Sequence, residues 1–92
     1  MIVRIATEGQ YELDDSHAER LNELDNQAVA AVEAHDEARF KQLWGQIVGM
    51  VEREGRPVPN DELVPSDVIL PPADVSFEEA KREFTGDGLI PD

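Results

Sequence analysis

The fold of this chain is decided by residues 61–74, which read DELVPSDVILPPAD. All but one of the six prolines lie between positions 57 and 72, a density that is typical of a linker. The same stretch nevertheless carries more apolar surface than disordered tracts contain. Its large apolar residues are Leu63, Val64, Val68, Ile69 and Leu70. We therefore expect residues 57–75 to be an ordered segment that either wraps its own domain or engages a partner.

A short edge strand is expected at residues 68–70. Pro65 precedes it and Pro71 follows it, and prolines are tolerated at the edge of a sheet but not in a central strand. If the segment engages a partner, its apolar side chains should make the contacts. These predicted partner-binding residues are Leu63, Val64, Val68 and Leu70.

A short C-terminal helix should follow the proline-rich segment. Ser76 is a good N-cap, and Glu79 three residues later completes a capping box. Either Gly86 or Gly88 should end this helix, since glycine is the commonest residue just beyond a helix C-terminus. The side chains expected to face the core are Phe77, Ala80 and Phe84.

The N-terminus reads as a β-hairpin with strands at residues 2–6 and 10–14. Apolar and polar side chains alternate in both, which is the pattern of strands with one buried face. Gly9 lies in the connection, where a positive φ is expected. An isolated hairpin is only marginally stable in water, so this one must pack against other elements. Its buried face should carry Val3, Ile5, Tyr11 and Leu13.

Two helices should follow, at residues 17–34 and 37–54, each with apolar residues at helical spacing. Ser16 is the candidate N-cap of the first helix, with Glu19 completing a capping box. Asp36 is the candidate N-cap of the second helix. Because the connection is only a few residues long, the two helices should form an antiparallel αα-hairpin.

We therefore predict an α+β fold in a single domain that spans residues 1–92. It comprises an N-terminal β-hairpin, an antiparallel αα-hairpin, and a proline-rich return segment with a short strand and a short C-terminal helix. The predicted core consists of Val3, Ile5, Tyr11, Leu13, Leu21, Leu24, Ala28, Val32, Phe40, Leu43, Trp44, Ile47, Val48, Val51 and Phe84.

The chain is strongly acidic, with 8 basic residues, 21 acidic residues and a formal net charge of −13. Nucleic acid and anionic lipid headgroups would both repel such a surface. The longest uninterrupted apolar run, residues 28–32, is far shorter than the roughly 20 residues of a membrane span. We therefore expect no nucleic-acid binding and no direct membrane insertion. With no cysteine and no visible signal peptide, the chain fits a cytoplasmic location.

No recognisable catalytic, cofactor-binding or metal-binding motif is present. His17 and His35 are the only two histidines, and they lie near opposite ends of the first helix, so they cannot ligate one metal ion. No phosphate-binding loop, dinucleotide-binding glycine motif or His-Glu-x-x-His sequence occurs. We therefore predict no enzyme activity, no cofactor and no metal site.

Gly45 and Gly49 are further candidate partner-binding residues. They lie one turn apart on the second helix, roughly opposite its apolar stripe, and each weakens the helix by about 0.8–1 kcal/mol relative to alanine. They are either tolerated on a well-packed helix or form a strip where a partner helix approaches the backbone. Trp44 and Met50 are expected to pack in the core rather than in an interface.

Several stretches of this sequence resemble the PspA-associated (PspAA) family of bacterial and archaeal phage-shock systems. They are residues 1–5, 8–11, 21–26, 61–74 and 87–91, so the resemblance covers nearly the whole chain. It implies an accessory or adaptor protein that acts with PspA, a coiled-coil effector of membrane stress, through protein–protein contacts. Such a protein would reach the membrane only through its partner. The resemblance also implies a glycine where His35 stands, so His35 should take a left-handed turn conformation.

The acidic charge leaves a second hypothesis open. An acidic domain that mimics nucleic acid would inhibit a regulator by occupying its basic groove. Whether the chain associates with itself stays open at this point.

Overall fold

The computed structural model describes residues 1–59 and 64–83. It has four strands, β1 (Ile2–Ile5), β2 (Gly9–Glu12), β3 (Arg56–Pro57) and β4 (Val68–Leu70), and three α-helices, α1 (Ala18–Glu33), α2 (Glu37–Glu54) and α3 (Phe77–Glu83). The predicted α+β class is confirmed, with the N-terminal hairpin and the two packed helices in their predicted places. The predictions for Phe84, Gly86 and Gly88 lie outside the described residues.

The strands form one sheet in the order β3-β2-β1-β4. β1 and β2 are antiparallel, with Val3 opposite Tyr11, and β4 runs parallel to β1, with Val68 on the other side of Val3. β4 is therefore an edge strand, as its flanking prolines predicted. The two-residue strand β3 was not predicted. Pro57 is tolerated there because β3 lies at the opposite edge of the sheet.

The buried residues of the sheet and the helices form one apolar cluster. Within the described ranges every member of the predicted core is buried except Tyr11, which is partly buried against the cluster. Alternation along β4 places Val68 and Leu70 inward, at 3% and 1% exposed, and leaves Ile69 62% exposed. The cluster adds Val29, Ala31, Met50, Val68, Leu70, Val75 and Ala80 to the predicted list.

The start of α1 differs from the prediction. Asp14 provides the cap, because its Oδ1 accepts a hydrogen bond from the Ser16 backbone N–H at 2.9 Å. Residues 15–17 then form a short 3₁₀ turn, and α1 begins at Ala18 without a side-chain cap. The predicted Ser16 capping box is wrong because Asp14, an equally good cap, satisfies the first free N–H two residues earlier.

The connection between α1 and α2 has the predicted geometry. The Asp36 side chain accepts a hydrogen bond from the Arg39 backbone N–H at 3.1 Å, so α2 begins at Glu37. His35 has a φ of 57°, which is the expected left-handed conformation. The two helices therefore turn back on each other within a few residues.

The return segment is attached to the N-terminal hairpin by hydrogen bonds. Asp67 Oδ2 accepts from the Ile2 N–H at 2.7 Å, and the Asp67 N–H donates to the Ile2 carbonyl oxygen at 2.8 Å. Gln10 Nε2 donates to the Val64 carbonyl oxygen at 2.9 Å and to Ser66 Oγ at 2.8 Å. The described part of the segment thus lies against its own domain, mainly at the sheet.

The first turn of α3 holds the end of the return segment in place. Ser76 Oγ accepts from the Glu79 N–H at 3.1 Å and donates to Glu79 Oε1 at 3.2 Å, so the predicted pairing of these two residues is confirmed. Val75 and Ala80 are buried on either side of this cap. Residues 73–76 therefore have a defined position beside α2.

Candidate interaction surface

The outward face of α2 differs from an ordinary solvent-exposed helix face. Charged residues usually occupy such faces, yet none occurs from Gln42 to Val51, although 32% of the chain is charged. Gln42, Gly45 and Gln46 are exposed, and Gly49 is partly exposed. We call these glycines and glutamines the outer face of α2. Its lack of charge makes it suited to burial under a partner.

Neither glycine on this face is required by the described fold. Apart from the helix itself, a Cβ at Gly45 would meet no described atom within 4 Å, and a Cβ at Gly49 would meet Arg53 Nη1 at an ordinary 3.7 Å. Alanine would stabilise the helix by about 0.8–1 kcal/mol at each position. The space above α2 is therefore open at Gly45 and bounded by Arg53 at Gly49, and both glycines cost some helix stability.

A groove of about 490 Å³ lies beside Gly45, between α2 and residues 73–76. We call it the Trp44 groove. Trp44 and Val75 are only 3% and 7% exposed, so they present the edges of their side chains to it. Its volume is within the range of roughly 300–1,000 Å³ that is typical of binding pockets. The lining residues are Phe40, Lys41, Trp44, Gly45, Ala73, Asp74, Val75 and Ser76.

Aromatic contacts fix the floor of the Trp44 groove. The rings of Phe40 and Trp44 are nearly parallel, with centroids 6.2 Å apart, and Phe77 meets Phe40 edge-on at 6.0 Å. Aromatic pairs of this kind contribute about 0.5–1.5 kcal/mol beyond their burial. The Trp44 Nε1 also donates to the Pro72 carbonyl oxygen at 3.1 Å. The groove is therefore preformed rather than assembled on binding.

The rim of the Trp44 groove is acidic. Lys41, the lysine that lines it, is paired with Glu37 at 3.0 Å between Nζ and Oε2. Asp74 on the opposite wall is exposed, and it forms no ion pair with a residue that the structure describes. Of the charged residues that line the groove, Asp74 is thus the one without an ion-pair partner in the described chain.

The predicted partner-binding residues of the return segment lie elsewhere. Val68 and Leu70 are buried in β4, whereas Val64 is 37% exposed. Leu63 lies outside the described residues. Ile69 was not among the predicted partner-binding residues, yet it is more exposed than Val64. Strict alternation of side chains along the strand could have identified it. None of the described members of this set lines the Trp44 groove, whereas Gly45 does.

The titratable side chains with raised pKa values in the described ranges do not form a buried acid–base site. A hydrogen bond with Glu52, desolvation of the carboxyl and the Glu52 charge raise the pKa of Glu8 above its ordinary value. Burial and the charges of both carboxylates raise the pKa of Tyr11. These groups lie at the surface rather than in a cleft. The described residues contain no group of three or more His, Cys, Asp or Glu placed to hold a metal ion.

Comparison with known proteins adds the identity of the family. None of the described helices is both long enough and apolar enough to cross a membrane. No curated protein and no solved structure matches the chain. The family described as PspA-Associated protein, PspAA, matches residues 1–92, and it is an accessory family rather than a known enzyme family. The chain therefore belongs to the PspA-associated protein family.

Proposed function

We propose that this protein is a non-enzymatic adaptor that acts with PspA in the membrane and envelope stress response through protein–protein contacts. The match to the PspA-associated family over the whole chain carries the proposal. The uncharged outer face of α2 and the preformed Trp44 groove support it, because both are features of a binding surface.

The acidity of the chain indicates the chemistry of the contact. A net charge of −13 speeds encounter with a basic face and disfavours acidic partners. Lysines and arginines that bind the adaptor are no longer free for anionic lipid headgroups, because both ligands compete for the same cations. In this proposal the protein stays in the cytoplasm and reaches the membrane only through PspA.

A binding titration with purified PspA across a salt series tests the proposal. We expect the affinity to fall between about 0.1 M and about 1 M salt, since the Debye length falls from about 10 Å to about 3 Å over this range. Binding that does not change with salt would reject the electrostatic steering. Absence of binding at every salt concentration would reject the adaptor function.

The same acidity supports a second candidate function, an inhibitor that mimics nucleic acid and binds a basic regulator. A gel-shift competition separates the two candidates. The inhibitor must displace DNA from a regulator of the stress response, whereas the adaptor leaves that complex intact.

A further inference from the structure

We propose that the Trp44 groove and the outer face of α2 together form the docking surface for a basic amphipathic helix of a protein partner. This inference rests on the proposed adaptor function and specifies the surface that performs it. The partner helix lies along α2, places apolar side chains in the groove, and sets lysine or arginine side chains against the acidic rim.

Gly45 joins the two parts of this surface. It belongs to the outer face of α2 and also lines the Trp44 groove, and the space at its Cβ position is open. A helix that packs over Gly45 and Gly49 approaches the α2 backbone closely and directs side chains at helical spacing into the adjoining groove. Because no charge occurs between Gln42 and Val51, the centre of this face is buried without desolvating a charge, and Lys41 and Arg53 flank it.

The charge of the rim selects a basic partner. Glu37 pairs with Lys41, whereas Asp74 has no ion-pair partner among the described residues. Opposite charges across an interface fix register and exclude wrong partners. A segment with apolar residues flanked by lysine or arginine therefore matches the groove and its rim, and an acidic segment does not.

A second copy of this chain is a poorer occupant. It would bring its own Asp74 toward the Asp74 of the rim, and both copies carry a net charge of −13. Residues 64–70 do not occupy the groove either, because hydrogen bonds from Gln10 and Ile2 and pairing with β1 hold them at the sheet.

Matched substitutions test the surface by titration against purified PspA. Gly45→Leu fills the open space beside the groove, and Ala30→Leu adds the same side chain on the exposed face of α1. We expect Gly45→Leu to weaken binding at least about tenfold, as loss of a central contact does. Ala30→Leu should change the affinity by no more than about twofold.

A charge reversal tests the rim separately. Asp74→Lys reverses a rim charge, and Glu33→Lys makes the same change at the exposed end of α1. We expect Asp74→Lys to weaken binding at low salt by about tenfold, and Glu33→Lys to have a much smaller effect. Thermal melts establish that each variant is folded. If Gly45→Leu does not fold, Gly45→Ala and Asp74→Lys provide the same test.

The possible outcomes separate this inference from the adaptor function. If wild type binds PspA and both surface variants bind equally well, the docking surface is rejected while the adaptor function stands. If wild type does not bind PspA, the adaptor function and this surface are rejected together. Equal weakening by Gly45→Leu and Ala30→Leu would also reject the surface. If the wild type dimerises and Gly45→Leu abolishes the dimer, the occupant is a second copy of the chain. The proposal of a basic partner helix is then rejected.

Discussion

The indole Nε1 of Trp44 donates a hydrogen bond to the carbonyl oxygen of Pro72 at 3.1 Å. This bond joins the middle of α2 to the point where the return segment leaves β4. It also explains how a side chain with a polar atom stands in the apolar core, since the ring packs while its N–H finds an acceptor. The position of the 73–76 wall of the Trp44 groove therefore depends on Trp44.

Loss of this hydrogen bond should destabilise the protein. In Trp44→Phe the Pro72 carbonyl oxygen loses one of its two donors and keeps the Val75 N–H at 3.0 Å. Because the smaller ring also leaves a gap in the core, we expect the free energy of unfolding to fall by about 1–3 kcal/mol. Urea denaturation followed by circular dichroism measures the change. Met50→Leu, which keeps the volume of another buried residue of α2, is the control and should cost less than about 1.5 kcal/mol. A Trp44→Phe curve that overlays wild type would contradict the structural role of the bond.

The Asp36 N-cap of α2 should make its own measurable contribution to the free energy of unfolding. Asp36→Ala removes the acceptor of the Arg39 N–H, and we expect a loss of about 0.5–2 kcal/mol. Asp36→Ser keeps a capping oxygen at the same place and should retain most of the wild-type stability. Chemical denaturation of the three proteins gives the comparison, and equal losses in both variants would show that the cap is not responsible.

Replacing His35 by glycine should stabilise the helical hairpin. The left-handed conformation of His35 costs a non-glycine residue about 1–2 kcal/mol, and glycine removes this strain. Glycine also has more freedom in the unfolded chain, which offsets about 0.5–1 kcal/mol of the gain. We therefore expect His35→Gly to gain about 0.5–1 kcal/mol, measured as an increase in the melting temperature. Ala34→Gly is the control. Ala34 has a φ of −82°, so glycine there should only destabilise.

Features encoded by neighbouring residues could be predicted from the sequence. The limits of α2 follow from the Asp36 cap and from an apolar stripe that ends before Gly55. The β4 edge strand follows from Pro65 and Pro71, because prolines are tolerated beside an edge strand but not in the centre of a sheet. In contrast, β3 is too short to show a pattern and exists only because β2 offers it a pairing edge.

The Trp44 groove could not be predicted, because it depends on how distant parts of the chain approach each other. Spacing along α2 places Trp44 and Gly45 correctly, but nothing local shows that residues 73–76 form the facing wall. Asp25 is a similar case. It is 1% exposed and takes part in an interaction, and burial of a carboxylate depends on tertiary contacts that helical periodicity does not show.

The Glu8–Glu52 pair gives a pH dependence with a defined sign. The hydrogen bond to Glu52, followed by desolvation of the carboxyl and the Glu52 charge, raises the pKa of Glu8 above its ordinary value of 4.5 in the folded protein. The folded state therefore binds more protons than the unfolded chain in the window just above pH 4.5. Stability from this pair is present below that window and is lost as the pH rises through it.

Glu52→Gln should reduce the stability that is lost as the pH rises. The glutamine amide can donate a hydrogen bond to ionised Glu8, and the repulsion between two carboxylates disappears, so the pKa of Glu8 should return toward its ordinary value. An NMR titration of the Glu8 carboxyl measures the pKa, and melting temperatures between pH 4 and pH 7 measure the stability. Glu19→Gln, at an exposed site on α1, is the matched control and should keep the wild-type slope. If the Glu52→Gln profile runs parallel to wild type, the two carboxylates are not coupled.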